Sequence, residues 1–199
     1  MQPNAIELIP ENYFAPLDIA VAFGRASPPR PLEVDVGAGE GSFLLAIAQR
    51  HPERNFLGIE RLLGRVRKIC RRAERFGLEN VRVLRLENSY AVRYMLPPRS
   101  VSKFHVSFPD PWPKRRHWRR RLIQPEFLDA IAAALVTSGE LRIKTDDAPY
   151  FEHIRAVLSA QRDFCEHPWP NEEDEPVTDF ERGFVARGLP IYRVRLVKI

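Results

Sequence analysis

Beyond residue 31 the apolar positions of the chain fall into short segments suited to strands, separated by segments of helical period. Leu32-Glu33-Val34-Asp35-Val36 reads as a strand, Gly37 to Gly41 as a tight turn, and Phe43 to Gln49 as a helix stopped near His51-Pro52. Asn55 to Glu60 reads as a second strand. Residues 61 to 76 form the clearest helix: Leu62, Val66, Ile69, Ala73 and Phe76 share one face, and Gly77 sits where a C-terminal cap belongs. Val81 to Leu86 alternates as a third strand, and Val101 to Phe108 is a fourth that ends in a proline-rich loop. Pro125 to Val136 is predicted helical, Gly139 to Lys144 a fifth strand, Tyr150 to Ser159 a helix, and Ile191 to Ile199 a final strand. Residues 1 to 30, broken by Pro3, Pro10, Pro16, Pro28 and Pro29, are expected to be irregular, and the acidic, proline-rich stretch 166 to 178 a loop.

Strands alternating with helices imply an α/β fold with a mostly parallel sheet and helices on both faces. The last strand follows a long irregular stretch rather than a simple helix, so it is expected to run antiparallel. The chain shows no internal repeat and no linker, and its 199 residues suit one domain over residues 1–199.

Composition narrows the chemistry. A net charge of +5 suggests a polyanionic partner without identifying it. Cys70 and Cys165 are far apart and in no C-x-x-C pattern, which argues against a disulfide framework or a zinc site. The five histidines are scattered, so no metal centre is expected. The N-terminus lacks a basic start and an apolar signal core, and no apolar run is long enough to span a bilayer. A cytoplasmic protein is expected, with no membrane association and no obligatory protein partner; its oligomeric state is left open.

The first strand, the glycine turn and the helix start together form a cofactor cradle. Glycines let the backbone approach a ligand closely, and a helix N-terminus offers free N–H groups. Gly37, Gly39 and Gly41 are spaced G-x-G-x-G, unlike the dinucleotide fingerprint G-x-G-x-x-G. Glu60 ends the second strand, where a carboxylate can accept hydrogen bonds from both ribose hydroxyls. Asp35, just before the glycines, would oppose a pyrophosphate but suits the positive methionine end of S-adenosylmethionine. That contrast favours S-adenosylmethionine over NAD. Asn88, after the third strand, is placed to meet the adenine, with a helix N-cap or turn as its plainer role.

Phe108-Pro109-Asp110-Pro111-Trp112-Pro113-Lys114 follows the fourth strand directly and would sit beside the glycine turn. Its three prolines stiffen the loop and hold Asp110 in a fixed pose, beside the methyl donor. Then comes Lys114-Arg115-Arg116-His117-Trp118-Arg119-Arg120-Arg121. Such a run binds nucleic-acid phosphates, and Trp112 and Trp118 can stack on bases or ribose. Taken alone it reads equally as a solvated basic face. The helix at 61 to 76 adds Arg61, Arg65, Arg67, Lys68, Arg71, Arg72 and Arg75. Whether that helix joins the same patch is not legible from the sequence.

Phe108 to Lys114 with the following arginines resembles the signature of bacterial tRNA (guanine-N7)-methyltransferases. Lys144-Thr145-Asp146, and Thr178-Asp179-Phe180-Glu181 with Gly183, agree with that family in the same order, and the resemblance runs from about Pro31 to the C-terminus. It implies a Rossmann-like class I methyltransferase fold with a seven-stranded sheet. It implies S-adenosyl-L-methionine as cofactor and tRNA as partner, with methylation of guanine N7 in the variable loop. Asp35, Glu60, Asn88 and Asp110 fall at the family's cofactor positions. Lys114, Asp146, Thr178, Asp179, Phe180 and Glu181 fall at its substrate positions. Arg116, His117, Trp118, Arg119, Arg120 and Arg121 fall where the family contacts RNA. By itself, Thr178 to Glu181 has capping-box spacing and reads as a helix start. The chain departs from the family in two ways: an acid usually stands where it has Asn88, and its short N-terminal region lacks an arginine-rich opening.

Guanine N7 carries a lone pair and no proton, so methylation there needs no general base and rests on position. Asp110 is the candidate catalytic group, orienting the guanine and balancing the charge that the ring gains. Asp146 and Glu181 are candidates to accept hydrogen bonds from its N–H edge. The rival readings are a methyltransferase for another RNA base or for a small molecule, a non-catalytic RNA-binding protein that holds the cofactor, and an NAD oxidoreductase.

Overall fold

Successive side chains of a strand point to opposite faces, so strict alternation sorts apolar from polar residues between two layers. The computed structural model describes residues 6–170 and 175–199. Its elements are β1 (Glu7–Leu8), α1 (Ile19–Phe23), β2 (Leu32–Val36), α2 (Ser42–Arg50), β3 (Asn55–Ile59), α3 (Leu63–Arg75) and β4 (Val81–Leu84). There follow α4 (Asn88–Tyr90) running into a π-helical turn (Ala91–Met95), β5 (Val101–Ser107), a 3-10 segment (Arg115–Arg120) and α5 (Pro125–Ala134). The chain ends with β6 (Leu135–Thr145), α6 (Ala148–Ser159), β7 (Phe164–His167), α7 (Asp179–Ala186) and β8 (Tyr192–Lys198).

The sheet order is β1-β4-β3-β2-β5-β6-β8-β7. Every pairing is parallel except those of β8, which runs antiparallel to both β6 and β7. The α/β architecture and the antiparallel last strand match the expectation. The sheet has eight strands among the described residues rather than seven. The extra one is β1, two residues that extend the edge beside β4 with Glu7 opposite Val83.

That edge lies in a region expected to be irregular. The prolines there keep the elements short but do not abolish them. Asp18 caps α1 by accepting from Val21 N at 3.0 Å, and Arg82 anchors the helix by donating to Ala22 O at 2.7 Å. Two further boundaries differ. The helix expected to reach Val136 stops at Ala134, and β6 starts at once with Leu135. The pairing of β5 with β6 then shifts between Val101 and Lys103. Gly139 allows the shift, because a Cβ there would lie 2.9 Å from both Leu135 Cδ2 and Val136 O. The stretch expected as a loop from residue 166 begins inside β7. The predicted cap of α3 holds in full: Leu78 N donates to Ala73 O and Gly77 N to Glu74 O, each at 3.0 Å.

Two apolar layers cover the sheet. On one face, Val34, Val36, Phe104, Val106, Leu141, Ile143, Val194 and Leu196 meet the π-helical turn, α5 and α6. On the other, α2 and α3 pack Leu44, Ile47, Val66 and Ile69 against Phe56, Val81 and Val83. Toward β5, β6 and β8 this second face turns polar. Register places Glu33, Lys103 and Glu140 in one row, and Asp35, His105, Arg142 and Arg195 in the next. Strands in a doubly wound sheet usually read as continuous apolar runs. Here they alternate because half of one face carries charge.

The charges are paired. Glu33 is bound by His105 Nε2 at 2.8 Å and Arg54 Nη1 at 2.7 Å. Arg142 pairs with Glu140 at 2.8 Å and also with Glu175. Burial alone would raise the Glu33 carboxyl, but His105, Lys103 and Arg54 outweigh it and hold the group at about 2. A depressed carboxylate contributes stability above its unfolded pKa and loses it as pH falls through the folded value. Glu33→Gln should therefore destabilise the fold by about 3 kcal/mol at neutral pH. It should also flatten the loss of stability between pH 4.5 and about 2 that wild type shows. Denaturant titrations across that range check both.

Candidate active site

β2 and β5 are hydrogen-bonded neighbours, yet the chain leaves β2 toward β3 on one side and reaches β6 on the other. The loops at their carboxyl ends must diverge, and a crevice opens between them. A cavity of about 910 Å³ occupies it. Asp35, Gly37 and Gly39 line one part, Glu60 and Asn88 another, and Asp110, Arg119 and Arg120 the opposite wall.

The glycine turn is built from left-handed backbone. Gly37, Gly39 and Gly41 have φ of 79°, 58° and 76°, which L side chains rarely adopt. Gly37 N and Ala38 N both donate to Ile59 O at 2.9 Å, tying the turn to the end of β3. Glu60, 5% exposed, accepts from Gly39 N at 3.0 Å and from Leu62 N at 2.9 Å. Each carboxylate oxygen keeps a second lone pair for a ligand. Asn88 does not cap α4. Glu87 does, accepting from Ser89 N and Tyr90 N, and the Asn88 amide stands over Gly37, 3.4 Å from the position of a Cβ there.

Asp35 is 5% exposed. Burial, and then the charge of Glu60, push its carboxyl up to about 7. No cation among the described residues lowers it. The site thus presents a buried carboxylate that lacks a countercharge.

Across the crevice, the loop after β5 is held in strained backbone. Phe108 and Trp112 are non-glycine residues with φ of 53° and 45°, a conformation that costs about 1–3 kcal/mol each and persists only where surroundings enforce it. Phe108 N donates to Lys144 O at 2.8 Å, and Arg120 lies 5.1 Å above the Trp112 ring. Asp110 is exposed at the wall of the cavity.

The arginine run divides in two. Arg116, Trp118, Arg119 and Arg120 are exposed and His117 half-buried, as a surface contact requires. Arg121 departs from the RNA-facing role expected for it: it is 2% exposed. Its Nε donates to Pro111 O at 2.8 Å, and its guanidinium lies 4.6 Å from the Trp118 ring and 4.9 Å from the Tyr150 ring. It braces the Asp110 loop and at the same time contributes to the cavity lining.

The expected substrate positions scatter more. Thr178 lines the cavity and caps α7, accepting from Glu181 N at 3.0 Å. Glu181 does not complete a reciprocal capping box. It is 2% exposed and paired with Lys144 at 3.1 Å and Arg193 at 2.7 Å. Its carboxylate, expected to read an N–H edge, thus sits in a buried ion pair. Lys114 and Asp146 lie outside the cavity lining, as do Gly41, Arg116, His117 and Trp118. The side chains of Asp179 and Phe180 lie outside the described residues. The sequence reading missed Ser107, Arg61, Arg65 and Phe127 in the lining. For Arg61 and Arg65 a signal existed, since both follow Glu60 on a helix noted for its cations. Among the described residues no group of three His, Cys, Asp or Glu could hold a metal ion, and no helix is long and apolar enough to cross a membrane.

A family model described as "Putative methyltransferase" matches residues 29–194. A tRNA (guanine-N(7)-)-methyltransferase of Leifsonia xyli subsp. xyli is 42% identical over 181 residues, covering 88% of this chain and 78% of the relative. Another, of Alkalilimnicola ehrlichii, is 39% identical over 181 residues, covering 89% and 75%. Among solved structures, the 16S rRNA methyltransferase KamB superposes with a TM-score of 0.62 at 17% identity, covering 86% of this chain and 89% of that one. At that identity the likeness speaks for the fold alone.

The state of Asp35 has a measurable consequence. A carboxyl whose folded pKa is raised binds its proton more tightly in the native state, so stability falls as pH rises from its unfolded value toward about 7. Asp35→Asn should be more stable than wild type at pH 8 by a few kcal/mol. At pH 4 the two should be nearly equal. Thermal unfolding at the two pH values decides it, and equal stability at pH 8 would mean that something else balances the charge.

Proposed function

The chain belongs to the tRNA (guanine-N(7)-)-methyltransferase family, and from that premise we propose that it methylates N7 of a guanine in the variable loop of tRNA, using S-adenosyl-L-methionine. One observation carries the reading. A buried carboxylate that no cation among the described residues balances, an exposed aspartate, and Arg119 and Arg120 line the same cavity at the switch point of the sheet.

The residues suit the cofactor. Asp35 offers a negative charge to a cationic group, Glu60 retains lone pairs for ribose hydroxyls, and the Asn88 amide is available to adenine beside the open backbone of Gly37. Bound S-adenosylmethionine supplies an electrophilic methyl group on a sulfonium, which suits the unprotonated lone pair of guanine N7. No residue therefore has to remove a proton before transfer. Asp110 orients the guanine and balances the positive charge that its ring acquires. The braced loop fixes Asp110 in place, so the geometry is set before the substrate arrives. Arg119 and Arg120 hold phosphates at the wall of the cavity, with Arg116, His117 and Trp118 beside them. Thr178 fixes the nucleotide from the opposite loop, and Lys114 and Asp146 contribute outside the lining. Glu181 acts indirectly, by holding the start of α7 through Lys144 and Arg193. The guanine has to leave its stack to enter the cavity.

Incubation with methyl-labelled S-adenosylmethionine and unmodified tRNA, followed by chemical cleavage at 7-methylguanosine, tests the reading directly. Label at one variable-loop guanine is the expected result; label elsewhere rejects the assigned position, and label on a small molecule without tRNA rejects the substrate class. Asp110→Ala should reduce transfer at least about 100-fold while tRNA binding persists. Near-normal turnover in that variant would remove Asp110 from the mechanism.

A further inference from the structure

We propose that the outward face of α3 is a second tRNA-binding surface, which carries the phosphate backbone away from the cavity along the side of the domain. The inference rests on the tRNA reading above and extends it to a helix outside the family's signature motifs.

Charge provides the first argument. Between Leu63 and Arg75 the helix holds six cations and one carboxylate, an excess equal to the whole chain's net charge of +5. The rest of the molecule, its basic run included, is neutral on balance. A polyanion approaching this protein therefore meets a second concentration of positive charge on α3, besides the segment near Asp110.

Placement provides the second. Val66, Ile69 and Ala73 face the core, which turns the cations outward in two rows. Arg65, Lys68 and Arg72 lie toward the glycine turn, where Lys68 pairs with Glu40 and Arg72 donates to Glu40 O at 3.0 Å. Arg67, Arg71 and Arg75 form the other row, four residues apart and exposed. Arg67 and Arg71 make no ion pair among the described residues. At 1.5 Å rise per residue, that row extends about 12 Å, long enough for two or three phosphates.

Continuity provides the third. The helix begins just beyond Glu60, and Arg61 and Arg65 line the same cavity as Arg119 and Arg120. The mouth is therefore flanked by arginines on opposite walls, and α3 leads away from one of them. An RNA strand laid across both would present a nucleotide between them.

The test compares two double variants of equal charge. Arg67→Gln/Arg71→Gln alters α3, and Arg155→Gln/Arg162→Gln alters the region of α6 on the far side of the sheet. The expected result for the first is a tRNA KM raised about tenfold with kcat at saturating tRNA unchanged. Its log-affinity against log-salt slope should be smaller by about 1.5, the loss of two phosphate contacts. Affinity for S-adenosylmethionine and the melting temperature should stay at wild-type values. The second variant should keep the wild-type slope. An unchanged slope in the α3 variant, or an equal drop in both, overturns the proposal. Absence of methyl transfer to tRNA by wild type would instead overturn the functional reading, so the two failures are distinguishable.

Discussion

Two carboxylates on one strand, two residues apart and on the same face, are satisfied in opposite ways. Glu33 receives a histidine and an arginine and is held at about 2. Among the described residues Asp35 receives no cation; it lies near Glu60 and is pushed up to about 7. Burying a charge is tolerable only when it is paired. Glu33 therefore ties β2 to β5 and to Arg54, fixing the central strand pair whose divergence opens the crevice. Asp35, one pleat nearer the crevice, leaves that crevice short of a positive charge. Fold and site are thus two outcomes of the same rule along five residues of β2.

The polar half-face makes this possible. An apolar face running through β5, β6 and β8 would leave Glu33 with Arg54 alone, without the partners that β5 supplies. His105 and Lys103 on β5, and Arg142 on β6, instead form a lattice in which each carboxylate meets a cation. The same rows run on to Lys144 and Arg193, which capture Glu181. The lattice that stabilises the sheet thereby also positions α7 and its cap, Thr178, at the cavity.

Much of this was legible in the sequence, because the strongest signals are local. The period of α3 and its glycine cap follow from residues within one helix, and the glycine turn follows from backbone freedom at Gly37, Gly39 and Gly41. The short β1 was not legible: two residues carry no periodicity, and Glu7 and Leu8 become a strand only because β4 offers an open edge. The junction of α5 with β6 was misplaced because apolar residues continue across it, and only the packing around Gly139 marks the change. Arg121 was misread for a similar reason. In a run of like residues nothing local separates the one that turns inward, and the partners that bury it, Pro111, Trp118 and Tyr150, are fixed by tertiary structure. Glu181 had a local reading as a capping partner, but Lys144 and Arg193 hold it more strongly than a backbone N–H would.

Lys144 shows how strain near Asp110 is sustained. Two left-handed non-glycine residues in one short loop cost energy that the loop cannot recover by itself. Its carbonyl accepts from Phe108 N at 2.8 Å, fixing the first strained residue. Its ammonium holds Glu181 at 3.1 Å, and so the first turn of α7. From that helix Phe184 returns to pack on the Phe108 ring at 5.1 Å. A closed circuit results, from loop to β6 to α7 and back to the loop, while Arg121 secures the far side through Pro111. Either anchor alone would leave one strained residue free to relax. With both, the carboxylate of Asp110 is displayed to solvent on a backbone tied down on either side of it, which is the condition that a reaction governed by alignment rather than by proton transfer imposes.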